Sequence, residues 1–337
     1  MIMEVLENAS LTHCNTLRLE SRARCLVAVD SPDTLREVLA LARRRALALR
    51  VLGGGSNVVL REHIDALVLL MRLQGQELLQ SSDQRVVVRV AAGVPWHAFV
   101  LDCHRRGWYG LENLALIPGT VGAAPLQNIG AYGVEIGEFV REVAAFDRAS
   151  GDAVTLDHAA CRFAYRHSIF KGELAEQLVI GSVTLDIPIA RAPRSDYPVL
   201  REKLQAIESP AAGDVLRAVI AIRQARLPDP AVLPNAGSFF KNPVIDEQQF
   251  ARLRVRAPGV VHWPYQGAVK LAAAWLVDQA GWKAHRSGDA GVHANQALVL
   301  VNHAHARASD MLALAARIQA SVSERFGVEL ELEPAVY

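Results

Sequence analysis

A chain of 337 residues, 51% hydrophobic and 21% charged, is long enough for two or three compact domains and too apolar to stay disordered. Lys plus Arg number 36 against 35 Asp plus Glu, so no net field draws it toward nucleic acid or an anionic membrane surface. Any anionic ligand must be held by local groups. The four cysteines, Cys14, Cys25, Cys103 and Cys161, form no CxxC pair and no metal-ligand spacing, which predicts small apolar residues in a reducing compartment and no metal site. The opening Met1 to Cys14 carries Glu4, Glu7 and Asn8 and lacks a basic flank followed by a long apolar core, so no signal peptide is expected. No run approaches the ~18 apolar residues of a membrane span, and a cytoplasmic protein is expected.

The first helix is predicted at Ser31-Pro-Asp-Thr-Leu-Arg-Glu-Val-Leu-Ala-Leu-Ala, with Ser31 as cap, Pro32 in the first turn and Leu35, Val38, Leu39 and Ala42 as one stripe. It leads to a short β-prone run, Leu49 to Leu52, that ends in glycines. Arg85-Val-Val-Val-Arg-Val-Ala reads as a second strand and Pro95 to Arg106 as an amphipathic helix. Val143 to Ile189 is rich in β-like runs, among them Leu178 to Leu185, and Ala190 to Pro198 is turn-rich. Two prolines in Arg226-Leu-Pro-Asp-Pro-Ala place a domain boundary near Asp229. The last helix is predicted from a cap at Ser309 to a stop at Gly327, with Met311, Leu314, Ala315, Ile318 and Val322 on one face. Strict alternation then predicts a strand over Val328 to Glu333. The whole reads as α+β or α/β.

Four segments carry candidate chemistry. In Gly53-Gly-Gly-Ser-Asn57 three glycines free the backbone to approach a ligand and offer N–H groups to phosphate, with Ser56 and Asn57 adding short polar side chains. A flexible turn is the bland alternative, and the spacing matches neither GxGxxG nor the P-loop, which disfavours a standard dinucleotide fold. In Gly110 to Gly133, Gly119, Gly122, Gly130 and Gly133 punctuate a nearly uncharged stretch suited to a large flat cofactor with a pyrophosphate, or else a glycine-rich core loop. Ordering glycines is costly in backbone entropy, and a bound ligand offsets that cost. Phe163-Ala-Tyr-Arg-His-Ser-Ile-Phe-Lys171 sets Arg166 among apolar residues, where a guanidinium calls for an anionic or carbonyl partner. In Asn235-Ala-Gly-Ser-Phe-Phe-Lys-Asn-Pro243, Gly237 permits a turn presenting Ser238, Phe239 and Phe240 anchor it, and Lys241 and Asn242 supply donors, although a generic turn over an aromatic pair would look the same.

These motifs in this order resemble the UDP-N-acetylenolpyruvoylglucosamine reductases, the MurB flavoenzymes, from Asn15-Thr-Leu-Arg18 to Leu330-Glu-Leu-Glu333. The resemblance implies an α+β architecture: a two-subdomain FAD-binding domain of the vanillyl-alcohol-oxidase type, residues 1–75 and 76–229 with an inserted lid segment, followed by a smaller α/β substrate-binding domain, residues 230–337. It implies non-covalent FAD reduced by NADPH, then reduction of an enolpyruvyl double bond in peptidoglycan synthesis, by a monomer whose partners include neither nucleic acid nor membrane. For cofactor binding it implies Gly53, Gly54, Gly55, Ser56, Asn57, Pro118, Gly119, Thr120, Gly122, Ala123, Gln127, Asn128, Gly130, Tyr132 and Gly133.

For catalysis the resemblance implies that Arg166 and Glu333 stabilise an enolate and that Ser238 delivers a proton. Glu331 competes with Glu333, because Pro334-Ala335 stand where the family commonly has Val-Arg. For the nucleotide sugar the resemblance implies Tyr165, Tyr197, Arg223, Arg226, Lys241, Asn242, Lys270 and Gln296. Tyr197 is the expected cover over uridine diphosphate, and Arg226 replaces a lysine frequent in the family. His293 is read as structural. Two competing classes are an FAD oxidase of an alcohol or sugar lactone, which leaves Gly-Ser-Phe-Phe-Lys unexplained, and a non-catalytic nucleotide-sugar sensor, against which Arg166, Ser238 and Glu333 argue together.

Overall fold

The computed structural model describes residues 3–189 and 192–337. Two compact units interleave along the chain: unit 1 comprises Met1–Ala9, Ala23–Gly54 and Asp65–Arg223, and unit 2 comprises Ser10–Arg22, Gly55–Ile64 and Gln224–Tyr337. The early excursions into unit 2 are short segments with no more than one 3-10 turn, Thr12–Cys14, so local periodicity gives no sign of where they pack.

In unit 1 the strands Leu6–Ser10, Arg22–Val29, His63–Met71 and Ala48–Leu52 form a sheet in that order, and the last two run parallel. Helix α1, Pro32–Arg44, starts as expected: Ser31 Oγ accepts the Thr34 N–H at 3.1 Å, and Leu35, Val38, Leu39 and Ala42 are buried. A second, antiparallel sheet has the order Ala153–Asp157, Val140–Asp147, Leu178–Pro188, Arg85–Ala91, Gln76–Ser81. Its central strand runs 11 residues with both faces largely covered, which is why Leu178-Val-Ile-Gly-Ser-Val-Thr-Leu reads as an apolar run rather than an alternation. Helix α2, Trp96–Arg105, buries Trp96, Phe99, Val100 and Cys103 in the same core. The short helix α3, His158–Cys161, then α4, Pro198–Leu204, and α5, Ala212–Arg226, complete the unit.

In unit 2, Asn235–Ser238, Val299–Asn302, Ala290–Val292 and Arg286–Ser287 make one sheet, and Val244–Ile245, Ala268–Leu271 and His262–Tyr265 make another. Helices α6, Glu247–Arg256, α7, Ala273–Gln279, and α8, Ala308–Phe326, pack with them around Leu271, Leu276, Met311, Leu314 and Ile318. Val58–Val59 pairs in parallel with Ala335–Val336.

Two local expectations are corrected. Helix α8 begins at Ala308 with Arg307 as N-cap, not at Ser309, because the Asp310 carboxylate reaches back to the Arg307 N–H at 2.9 Å. The stop at Gly327 stands, with φ 68°. Val328 to Glu333 is not a continuous strand: it makes a single bridge, Leu332 with Phe240, flanked by Lys241 N–H to Glu331 O and Glu333 N–H to Phe239 O, each 3.0 Å. The alternation is real as burial, since Val328 and Leu330 are 2% and 3% exposed, but it lacks a full-length partner.

Candidate active site

In unit 1 the two glycine segments meet. A Cβ on Gly53 would lie 2.6 Å from Thr120 Oγ1, and one on Gly54 would lie 3.1 Å from Gly119 Cα. The Gly119 segment is stitched to the turn before α2: Trp96 N–H donates to Gly119 O, Val121 N–H to Val94 O and Gly122 N–H to Ala92 O, all near 2.9–3.0 Å. A Cβ on Gly122 would sit 2.5 Å from the Ala92 side chain, so that glycine serves packing. Among the described residues, the amides of Gly53, Gly54, Gly119 and Thr120 donate to no backbone carbonyl. Four such donors on two abutting loops suit a pyrophosphate, and FAD fits this donor set.

Of the seven described non-glycine residues of this unit with positive φ, four fall in the candidate segments: Leu116 at 58°, Asn128 at 44°, Tyr132 at 49° and Arg166 at 53°. Each costs about 1–3 kcal/mol, and each is held by side chains or a tight turn. Asn128 is 2% exposed, and its amide bonds Glu135 Oε2 (2.7 Å), Ala164 O (3.1 Å) and the Gly137 N–H (2.9 Å). Its side chain is thus committed within the protein. Tyr132 O accepts from Asn113 Nδ2 at 2.9 Å. Tyr165-Arg166 tips a two-residue turn closed by Ala164 and His167, whose amides exchange hydrogen bonds at 3.0 and 3.1 Å. Arg166 then donates to Gly130 O at 3.0 Å and stacks 5.2 Å from the Tyr165 ring.

Arg223 on α5 joins this group, donating to Leu116 O at 3.3 Å. Burial holds its guanidinium below the usual arginine range; Tyr132 opposes that shift, and repulsion from Arg166 adds to it. Two half-buried guanidiniums that repel each other favour an anion between or beside them. Tyr197 meets Tyr132 edge to face, ring centroids 5.6 Å apart. Of the turn-rich segment expected to carry it, Ala190 and Arg191 lie outside the described residues. Arg194 ties the rest down with a fork to Glu138 at 2.9 and 2.7 Å and a bond to Gly133 O at 2.9 Å. Reading the sequence missed Asn113 and Arg194, which act on backbone far from them in sequence, Glu138, which holds the Arg194 guanidinium, and His97, whose ring accepts the Leu116 N–H at 2.9 Å.

In unit 2, Thr16 of the Asn15 to Arg18 motif links two candidate segments: its N–H donates to Gly55 O at 3.0 Å and its hydroxyl to Asn235 O at 2.6 Å. Gly55 has φ 61°, and a Cβ there would lie 1.9 Å from Cys14 O, so no other residue fits. Ser238 ends its strand, half-buried, after Gly237 (φ 69°), whose N–H bonds Asn235 Oδ1 at 3.0 Å, and before Phe239 and Phe240, which are 0% and 1% exposed. The Glu333 N–H reaches Phe239 O, and Asn57 Nδ2 donates to Glu333 O at 3.4 Å. Asn57, Ser238 and Glu333 therefore share one neighbourhood.

Glu331 is engaged elsewhere, in an ion pair with Lys241 at 2.6 Å. This occupies Lys241 too, and a diphosphate would have to compete with an exposed carboxylate for it. Asn242 Oδ1 accepts the Ala273 N–H at 2.9 Å at the start of α7, while Lys270 stacks 4.9 Å from the Tyr265 ring. Gln296 closes a turn on Leu298 and Val299, and Arg226 is exposed at the end of α5. The His293 ring is shifted down by burial, in keeping with a structural neutral imidazole. The described residues contain no cluster of three or more His, Cys, Asp or Glu able to hold a metal, and no helix long and apolar enough to cross a membrane.

A parallel-edged sheet and an antiparallel sheet in one unit, with two glycine loops offering free amides, define a flavin-binding domain, and residues 23–157 match the FAD binding domain model. Residues 229–337 match the C-terminal domain of UDP-N-acetylenolpyruvoylglucosamine reductase. Reductases of that name from Pseudomonas aeruginosa (49% identical, covering 100% of both chains) and Bordetella pertussis (52%, covering 96% of this chain and 92% of that one) are close relatives. The crystal structure of UDP-N-acetylenolpyruvylglucosamine reductase (MurB) from Thermus caldophilus superposes with a TM-score of 0.68 at 25% identity, covering 100% and 99% of the two chains. The chain belongs to the UDP-N-acetylenolpyruvoylglucosamine reductase family.

Proposed function

We propose that this chain reduces the enolpyruvyl double bond of UDP-N-acetylenolpyruvoylglucosamine to UDP-N-acetylmuramate, with bound FAD and NADPH as reductant, in the cytoplasm, as a monomer serving peptidoglycan synthesis. The full-length identity of 49% to a reductase of that name carries the reading. FAD supplies the chemistry of taking hydride from a nicotinamide and giving it to carbon. Gly53, Gly54, Gly119 and Thr120 offer it backbone donors. Residues 1–75 and 76–229 serve the cofactor and 230–337 the nucleotide sugar, with Arg223, Arg226, Lys241, Asn242, Lys270 and Gln296 as contacts.

Hydride arriving at the methylene carbon moves charge toward the adjacent carbon and its carboxylate. A guanidinium fixed by Gly130 O and the Tyr165 ring stabilises that charge without reorganising, which is the role of Arg166. Glu333 acts with it, and the Ser238 hydroxyl gives the final proton. Transfer from a neutral hydroxyl to a more basic carbanion is downhill. The test is turnover: a yellow preparation that releases its flavin on denaturation and oxidises NADPH only when the enolpyruvyl sugar is added supports the reading. Oxygen-dependent turnover of an alcohol would replace it with an oxidase.

The Tyr197 contact gives a second expected result. An aromatic cover contributes binding rather than chemistry, so Tyr197→Ala raises KM for the nucleotide sugar about tenfold and leaves flavin reduction by NADPH unchanged. A main effect on NADPH oxidation would remove Tyr197 from the substrate side.

A further inference from the structure

Leu116, in its left-handed conformation, is clamped at both ends of its backbone, by His97 Nδ1 on its N–H at 2.9 Å and by Arg223 Nε on its carbonyl at 3.3 Å. His97 is the second residue of α2, and its neighbour Trp96 holds Leu114 O through the indole N–H at 2.9 Å and Gly119 O through its backbone N–H at 3.0 Å. The first turn of α2 therefore grips the segment at Leu114, Leu116 and Gly119. An imidazole nitrogen accepts a hydrogen bond only when it carries no proton, so this contact requires neutral His97 with its proton on Nε2.

We infer that His97 is a positioning residue: its neutral ring locks the left-handed turn at Leu116 and so sets the Pro118-Gly119-Thr120 backbone that faces FAD. This rests on assigning that backbone to the cofactor. The charged group acting on His97 is Arg223 of α5, on which Arg166 and Tyr132 act in turn. Burial, then the Arg223 charge, hold the ring below its ordinary 6.5. A histidine kept neutral on folding contributes stability that is complete above the unfolded value of 6.5 and is lost as pH falls through its lowered folded value. Once protonated, Nδ1–H confronts the Leu116 N–H and the lock opens.

The experiment is rebinding of FAD to flavin-stripped protein by fluorescence quenching, with amide hydrogen exchange at Leu116 followed in parallel, for wild type, His97→Leu and His97→Asn. His97→Leu should weaken FAD binding about ten- to hundredfold and speed exchange at Leu116. His97→Asn places an oxygen near the Nδ1 position and should recover most of the affinity. It should also abolish the loss of FAD affinity expected of wild type as pH falls through the lowered folded value of His97. Because His293 and His303 are likewise held neutral by burial, the readout is the difference between wild type and variant rather than global stability. Unchanged Leu116 exchange in His97→Leu, or an Asn variant as weak as Leu and as acid-sensitive as wild type, overturns the lock. Faster exchange with unaltered FAD affinity overturns instead the assignment of Pro118 to Thr120 to the cofactor. If His97→Leu does not fold, the pH profile of His97→Asn decides alone.

Discussion

Ser238→Ala should slow reoxidation of the anaerobically reduced holoenzyme by the enolpyruvyl sugar by about 10²–10⁴, while NADPH still reduces the flavin at nearly the wild-type rate. The first half-reaction forms no carbanion on the nucleotide sugar, so a proton donor has nothing to do there. The substitution removes one hydroxyl from a half-buried strand end and leaves Phe239 and Phe240, which anchor it, untouched. Folding should therefore survive, and the loss is read as chemistry. Ser238→Cys keeps a donor of similar size and should recover part of the rate. Arg166→Ala should impair the same half-reaction through loss of charge stabilisation. Wild-type reoxidation by Ser238→Ala, with normal product, would move the proton to Glu333, which is tied to the Phe239 backbone next door, or to a bound water.

The elements that local chemistry specifies were legible in the sequence. Ser31 and Pro32 start α1, Gly327 stops α8, and the apolar stripes of both helices are buried. Ser309 failed as a cap because the helix already starts at Ala308, where the Asp310 carboxylate in the first turn bonds back to the Arg307 N–H. The Val328 to Glu333 alternation failed as a strand because a strand needs a partner along its length, and Phe239 to Lys241 supplies only a short one. In the site, glycine spacing singled out two loops that the fold brings together but did not tell the job of each glycine. Gly122 packs on Ala92, Gly55 has no room for a side chain beside Cys14, and Gly237 faces open space but needs its positive φ. Residues that clamp distant backbone, such as His97 on Leu116 and Asn113 on Tyr132, leave no local signature, because the spacing that brings them together exists only after folding. The choice between Glu331 and Glu333, open from sequence, gains a physical argument from the Lys241 ion pair.

Gly54→Val should yield protein that purifies without flavin. The added Cβ lands 3.1 Å from Gly119 Cα, a backbone atom that cannot swing aside, and the two methyls make the approach worse. The loops must part by several tenths of an ångström or more, and overpacking of this kind costs about 1–3 kcal/mol. Amides aimed at a pyrophosphate tolerate little displacement, since each hydrogen bond weakens steeply with distance and angle. A companion experiment separates loop-to-loop packing from direct crowding of the cofactor. A Cβ on Gly53 would meet Thr120 Oγ1 at 2.6 Å, so Gly53→Ala alone should weaken FAD binding. Removing that hydroxyl in Gly53→Ala/Thr120→Ala should restore much of the affinity, and Thr120→Ala alone should be mild because the donor at that position is the backbone amide. Absence of rescue would mean that the Gly53 methyl strikes the cofactor rather than the neighbouring loop. Stoichiometric, normally tight FAD in Gly54→Val would remove the paired glycine loops as the cradle altogether.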